Sequence, residues 1–481
     1  MANSEKNDTL ILGAGAAGLS AAIELWKADA PFTVVEKETQ VGGLARTLEL
    51  GEFRTDIGPH RFFSRNQYLY SFIEDVLGEE WIPVERFTRF FIQGKFFLYP
   101  VQLGDVVKKL GVVKSTRVLL DYLCEVAKRP FHRHDPRNFE EYVIRNFGRS
   151  LAELNMLNYT EKIWGLPCSE LSTDWAMQRI KGLSFVAAVK SAIFKAKQGP
   201  KTLVDRFFYP EYGAGYLYEQ IQNKISQDRD VHLGSLVKSI DHDGSSVTRV
   251  RMEVDGEEFL MDPAWVISTI PITDVLNFLN PSPPQDVIDA AAQLKWRGIV
   301  HLFLKIDKPQ VTRDQWMYFP DTEIPFGRVS EMKNFSPRMS PADKTSLLVE
   351  YFVWDGDEVW NATTAELFER SIEWLDRFGF VKREEVIDCH SYRIRKAYPV
   401  YDIGYEERLG VIKDYLAGFQ NFFYAGRGAR FKYTNQDHSL EMGIMAAKSI
   451  IDGKRYNIDE AGSEKEYMES YPLQGAGKPS S

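Results

Sequence analysis

The run Thr9-Leu10-Ile11-Leu12-Gly13-Ala14-Gly15-Ala16-Ala17-Gly18-Leu19-Ser20 constrains the fold more than any other part of the chain. An apolar strand pattern feeds a G-x-G-x-x-G turn, and an Ala- and Leu-rich helical pattern follows. In such a unit Gly13 permits the tight turn and Gly15 lets the backbone approach a pyrophosphate. Gly18, with Ala17 beside it in the first helical turn, lets the helix lie close on the strand. The free N–H groups at the helix start face the phosphates. Glycines are common in any turn, so the neighbours carry weight. A second apolar run, Phe32-Thr33-Val34-Val35, ends at Glu36-Lys37. Its place, about 20 residues past the glycines, suits an acid that accepts both ribose hydroxyls of an adenosine. The pattern commits the protein to a dinucleotide, and through it to redox or cofactor chemistry.

A chain of 481 residues has room for two domains or three, and 44% apolar residues can fill a large core. The net charge of −9 argues against a nucleic-acid partner, because phosphate backbones call for a basic face. A local basic pocket for a phosphorylated small molecule stays compatible with it. Cys124, Cys168 and Cys389 are too scattered for a disulfide framework or a metal site, which points to a reducing cytoplasmic location and no metal. The N-terminus has no secretory pattern. No apolar run reaches the roughly 18 residues of a transmembrane segment. The stretch Ser184 to Phe194 reads first as a packed helix and second as a membrane-touching surface. The aromatic content of 13% fits either a ring-filled core or a cleft for a flat cofactor or base.

The pattern along the chain places a βαβ unit over residues 8–36. Phe90 to Tyr99 alternates around Gly94-Lys95 like a hairpin. Helical spacing runs from Leu103 to Ala127, is interrupted between Pro130 and Pro136, and resumes from Asn138 to Phe147. From Val231 to Ile270 the texture is that of strands, with Trp265 to Ile270 buried. Further strands are expected from Ile299 to Leu304, from Ser346 to Val353, and from Phe422 to Tyr424. A closing helix is expected from Ser439 to Ile451. The expected class is α/β: a Rossmann-like nucleotide domain built from residues 1–88, 206–272 and 416–454. A substrate domain would take its helices from 89–205 and its antiparallel sheet from 273–415. Residues 455–481 read as a flexible tail.

Three constellations carry chemistry. Gly58-Pro59-His60 follows Phe53 and Asp56 at a second turn, where His60 either faces a cofactor ring or is simply hydrogen-bonded in a loop. Gly426-Arg427-Gly428 precedes Asn435-Gln436-Asp437-His438-Ser439 and an apolar helix. Such a helix start can favour negative charge on a ring, while Asp437 or Ser439 can serve as caps. Arg179 follows Trp175, and Arg328 follows Trp316, Tyr318, Phe319 and Phe326. Guanidinium forks suit phosphate oxygens, and aromatic neighbours can hold a base.

With these residues and the Gly42-Gly43-Leu44-Ala45-Arg46 turn collected, the chain resembles the flavoprotein superfamily of amine oxidases, protoporphyrinogen oxidases and UDP-galactopyranose mutases. Within it the chain looks most like the eukaryotic-type mutases. The patches GAGAAGL, VGGLART and DIGPH are similar to the whole superfamily and imply FAD. The residues implied to hold it are Gly13, Gly15, Ala17, Gly18, Glu36, Lys37, Gly43, Leu44, Ala45, Arg46, Gly58, Pro59 and His60. At the closing loop Gly426, Arg427, Asn435, Gln436 and Ser439 join them. The mutase-like patches imply a substrate site of Tyr99, Gln102, Trp164, Arg179, Tyr318, Arg328, Tyr398 and Tyr433, with Arg179, Arg328 and His60 in catalytic positions. The loop from Gly426 to Asn435 is slightly shorter than in the mutases, and Val204 stands where they carry a polar residue.

The resemblance implies pyranose–furanose interconversion of a nucleotide diphosphate sugar through reduced flavin, with NADPH or NADH as the external reductant. The alternative is an FAD-dependent oxidoreductase of the amine oxidase or protoporphyrinogen oxidase type. A third reading is a non-catalytic flavin-binding scaffold. Oligomeric state is not legible in the sequence.

Overall fold

The computed structural model describes residues 8–99, 108–131, 134–175, 206–254 and 256–462. Five short strands form a wholly parallel sheet in the order Phe422–Tyr424, Trp265–Ser268, Thr9–Leu12, Phe32–Val35 and Asp230–His232. The chain thus draws this Rossmann-like sheet from its beginning, middle and end. Thr9–Leu12 lies at the centre and is buried throughout, which explains its unbroken apolar run. Helices Ala16–Lys27 and Gln436–Ile451 pack together very closely. A Cβ at Gly443 would fall 2.0 Å from the Ala17 carbonyl oxygen, and Ser20 Oγ donates to the Leu440 carbonyl at 2.8 Å.

A second, seven-stranded sheet has the order Val386–Pro399, Trp296–Ile306, Thr345–Val353, Arg328–Glu331, Trp316–Tyr318, Thr88–Ile92 and Lys95–Leu98. All its pairs are antiparallel except Trp316–Tyr318 with Thr88–Ile92. One core cluster joins Val300, Leu302, Met317, Val329, Leu347 and Val349 to Leu367 and Leu375 of helix Thr364–Arg377. That helix starts at a capping box made by Thr363 and Glu366, a reciprocal pair that satisfies two otherwise orphaned donors. On the other face Phe303, Trp316 and Leu348 pack against Phe207, Tyr209 and Phe335, and Tyr318, Arg328 and Glu350 line the cavity described below.

The helical part contains Val112–Lys128 and Phe139–Phe147, the latter capped by the Asn138 side chain, which accepts from Glu141 N at 2.9 Å. A π-helical stretch, Ala152–Met156, leads into helix Leu157–Trp164, which ends at Gly165 with φ 65°. Such wide turns are frequent at functional sites. The expected helix from Ser184 to Phe194 lies outside the described residues. Among the described residues no helix is long and apolar enough to cross a membrane.

Two expectations shift. The closing helix begins at Gln436, after Asn435, and Asp437 and Ser439 are therefore inside it rather than at its cap. Ser439 Oγ donates to the Asn435 carbonyl at 3.2 Å. Residues 455–462, expected to fray, pack instead: Ile458 and Ala461 are buried, and Arg430 and Lys413 both pair with Asp459.

Candidate active site

The two sheets and the helical part enclose a cavity of about 1190 Å³, above the roughly 300–1,000 Å³ usual for small-molecule sites. At one end lie the glycine turns. Gly13 has φ +104°, and a Cβ there would fall 2.1 Å from Thr269 Oγ1. A Cβ at Gly18 would fall 1.9 Å from the Gly13 carbonyl oxygen, so this glycine is needed for helix-on-strand packing. The Gly42-Gly43 turn lies directly against Gly15: Gly42 N donates to the Ala14 carbonyl at 2.8 Å, and a Cβ on Gly43 would come within 3.1 Å of Gly15 Cα. Buried Glu36 accepts from Ala14 N at 2.7 Å and from Glu38 N at 3.0 Å, which fixes its carboxylate at the cavity rim. Two bare-backbone turns and an oriented acid fit the two phosphates and the adenosine ribose of a dinucleotide.

Beyond this end the chain turns at Gly58-Pro59-His60. Asp56, immediately before it, is buried and accepts from Thr47 Oγ1 at 2.6 Å, Tyr209 Oη at 2.6 Å and Ala214 N at 3.0 Å. The carboxylate thereby ties three segments together at the base of the turn. A Cβ on Gly58 would stand 3.3 Å from Glu350 Oε1, so the turn rests directly on the seven-stranded sheet.

The sheet meets the turn with a single transverse row. Register pairs Phe97 with Phe90, Phe90 with Tyr318, Tyr318 with Arg328, Arg328 with Glu350, Glu350 with His301 and His301 with Tyr392. Directly paired residues project from the same face, so one line across seven strands carries aromatic, cation, anion and imidazole in turn. Phe90 and Tyr318 stack with centroids 4.8 Å apart. Glu350 takes Arg328 in a bidentate grip, with Nη2 to Oε1 at 2.7 Å and Nε to Oε2. His301 Nε2 lies 3.2 Å from Glu350 Oε1. Tyr398, on strand Val386–Pro399 of the same sheet, stacks on Tyr433 at 5.4 Å, and the Arg427 guanidinium lies 4.5 and 4.4 Å from the two centroids.

Burial opposes the Glu350 charge, but the Arg328 guanidinium outweighs it and holds the carboxyl down to about 2. The same pair holds Arg328 well above its ordinary value despite its desolvation. Burial, and then the charges of Arg328 and Arg427, push the His60 imidazole down to about 4, so it is neutral at physiological pH. Desolvation raises Tyr159 well above the usual phenol range and Tyr398 to about 12. Both therefore keep their protons and remain donors. His60 Nδ1, Asn155 Oδ1, Trp316 Nε1 and Arg427 Nε are buried polar atoms without a protein partner, and all four residues line the cavity.

The cavity wall takes in the residues expected to hold FAD, from Gly13 to Ser439, with Gly18 alone behind it. Of the expected substrate residues it takes in Tyr99, Tyr318, Arg328, Tyr398 and Tyr433. Trp164 does not reach it. That ring is buried, and it packs edge-on against Trp175, Tyr398 and Tyr433, while Trp175 lines the cavity in its place. Arg179 and Gln102 lie outside the described residues. Glu350 and His301 were not singled out by motif reasoning. Their only sequence signal is a lone polar residue inside each apolar run, SLLVEYFV and IVHLFL.

The family model described as flavin containing amine oxidoreductase matches residues 16–451. Among curated proteins the chain is 23% identical to protoporphyrinogen oxidase 2 of Arabidopsis thaliana, covering 92% of this chain and 93% of that protein. Among solved structures, reduced UDP-galactopyranose mutase superimposes with a TM-score of 0.82 at 22% identity, covering 96% of this chain and 97% of that one. Putrescine oxidase bound to putrescine superimposes with a TM-score of 0.63 at 18% identity, covering 93% and 99%. At these identities the structural likeness speaks for the fold.

Proposed function

Since the chain belongs to the flavin-containing amine oxidoreductase family, and is thus an FAD-dependent flavoenzyme, we propose that it interconverts the pyranose and furanose forms of a nucleotide diphosphate sugar. The observation that carries this reading is the set of cations and phenols gathered around the Gly58–His60 turn. There two guanidinium groups, Arg328 and Arg427, converge with the cavity-lining rings of Tyr159, Tyr318, Tyr398 and Tyr433. Cations with phenolic donors suit a diphosphate. An apolar polyene would leave the buried Nε of Arg427 unpaired, at a cost. The likeness in fold to a solved UDP-galactopyranose mutase agrees with the reading.

Under this reading the glycine turns, Glu36 and Arg46 hold the dinucleotide, and the first turn of helix Gln436–Ile451 faces it through Asn435, Gln436 and Ser439. Bound FAD in its reduced state would supply the nucleophile, and the net redox change over a turnover is zero. Arg328, fixed by Glu350, presents its remaining N–H groups to a diphosphate oxygen. Tyr159 and Tyr398 donate phenolic protons and hold the diphosphate as it leaves. His60 stays neutral beside the turn and adds no charge. The aromatic lining excludes water from the sugar. NADPH or NADH is the proposed electron donor for the resting flavin.

The experiment is anaerobic reduction of the purified protein with dithionite, followed by a panel of UDP- and dTDP-sugars and chromatography of the products. A ring-contracted sugar with the flavin still reduced is the expected result. A second reading, oxidation of an amine or a tetrapyrrole, draws on the nearly full-length similarity to a protoporphyrinogen oxidase. Bleaching of oxidised flavin by such a substrate, with no sugar product, would favour it.

A further inference from the structure

The cations around the cavity differ in how much of their charge is already spent. Lys37 and Arg46 face Glu38, each at 3.9 Å. Lys396 pairs with Asp274, and Arg395 with Asp355. Arg393 gives its N–H groups to the carbonyls of Trp360 and Ala362. Arg328 is gripped at two points by Glu350, a carboxylate with no exposure to solvent. That pair is neutral as a unit.

Arg427 is built differently. Its planar group is set against the faces of Tyr398 and Tyr433. Nη1 donates to the Thr434 carbonyl at 3.1 Å, and Nε is buried without a partner. Among the described residues no carboxylate lies within ion-pairing distance of it. Packing through its face leaves the in-plane N–H donors of a guanidinium free for an oxyanion. Its field also reaches the Gly58–His60 turn, because it is one of the two charges that depress the His60 imidazole.

We infer that Arg427, flanked by Tyr398 and Tyr433, supplies the uncompensated positive charge that binds the diphosphate of the substrate. Arg328, neutralised by Glu350, is an oriented hydrogen-bond donor beside it. This rests on the nucleotide-sugar reading above and moves Arg427 from the cofactor to the substrate. It also makes Glu350 a governor of affinity: removing its charge would unmask a second cation in the same cavity.

The test is binding rather than turnover. Oxidised holoprotein is titrated with UDP and with inorganic pyrophosphate, followed by flavin absorbance and calorimetry at two salt concentrations. Native protein is expected to bind UDP, more weakly at high salt. Arg427→Met should weaken both ligands by at least about thirtyfold and flatten the salt dependence. Glu350→Gln should tighten both, and combining it with Arg427→Met should recover much of the loss. If Arg427→Met sheds its flavin, Arg427→Lys and Glu350→Gln carry the test, the first retaining salt-dependent binding and the second strengthening it. Native protein that binds neither ligand overturns the nucleotide-sugar reading and this inference with it. Native protein that binds UDP while Arg427→Met binds it as tightly overturns the inference alone. So does a loss confined to UDP with pyrophosphate binding intact, or a Glu350→Gln variant that binds no tighter.

Discussion

A glutamate with no solvent exposure is tolerable only because its partner is fixed. Arg328 and Glu350 face each other on adjacent strands, and the register that aligns them is set by apolar neighbours on both sides. Removing one member of such a pair leaves a buried, uncompensated charge. Arg328→Ala should therefore destabilise the fold by about 3–5 kcal/mol, beyond its effect on substrate, and the double variant Arg328→Ala/Glu350→Gln should regain most of that. Urea denaturation of the three proteins measures it, and equal midpoints for the single and double variants would refute it. His60 makes a pH prediction with a definite sign. Its folded imidazole is depressed to about 4, against an ordinary value of about 6.5. Between these values the unfolded chain binds more protons, so the contribution is present above about pH 6.5 and drains away as pH falls toward 4. Melting temperatures of native protein and His60→Gln, taken from pH 8 down to pH 4.5, should show the native protein losing stability more steeply than the variant as the pH falls below about 6.5, and parallel curves would refute it. At this scale the sequence was informative wherever spacing encodes chemistry: Gly13, Gly15, Gly18 and Glu36 are recognisable because a dinucleotide demands that interval. Glu350 and His301 were silent, because a polar residue in an apolar strand gains its partner only from the register of strands far away in the chain.

Side chains that reach across to backbone help to position elements in this protein. Lys162, on helix Leu157–Trp164, places its ammonium among the carbonyls of Phe319 (2.7 Å), Asp321 (2.5 Å), Ile324 (2.8 Å) and Phe326 (3.3 Å). The loop it clasps joins Tyr318 to Arg328, and the same helix carries Tyr159. Lys162 therefore helps to set the spacing between the helical wall and the sheet wall of the cavity, together with Arg297, whose Nε donates to the Ile163 carbonyl at 2.9 Å. Lys162→Met keeps the stem but leaves several carbonyls without a donor. It should cost about 2–4 kcal/mol of stability and raise KM for substrate more than it lowers kcat. An unchanged KM would show that the loop holds its place without the clasp. The strands and the hairpin were legible from alternation and apolar runs, since a strand buried on both faces must be apolar throughout. The start of the closing helix was misjudged by one turn. Asn435, Gln436 and Asp437 look like residues before a helix, yet the chain is already helical at Gln436, since the first turn faces the cavity and needs no apolar residue. The π-helical turn at Ala152–Met156 left no mark that propensity could reveal.

The walls of the cavity come from distant parts of the chain. The parallel sheet needs strands from the beginning, middle and end of the chain, and the cavity walls add the turn at Gly58 and residues of the seven-stranded sheet. Discontinuous assembly was legible only because two nucleotide-binding patches stood far apart in sequence and had to meet on one ligand. The docking of residues 455–462 through Ile458 and Ala461 was not, because two apolar residues are too few to stand out in a polar stretch, and their anchor, the pair between Arg430 and Asp459, joins segments with no shared pattern. This construction has a thermodynamic consequence. A ligand that touches only the folded arrangement stabilises it by linkage, about 2.7 kcal/mol when free ligand stands a hundredfold above its Kd. FAD bound between the Gly13–Gly15 turn, the Gly58 turn and the Gly426–Ser439 segment would bridge the beginning and the end of the chain. Stripping the flavin should therefore lower the melting temperature by several degrees, and protease should then cut first in the segments that meet at the cavity. Adding FAD back should raise the transition steadily with concentration, because the gain is logarithmic in free ligand. A melting temperature and cleavage pattern indifferent to FAD would mean that the protein closes around its cavity unaided, with the cofactor a passenger in a finished fold.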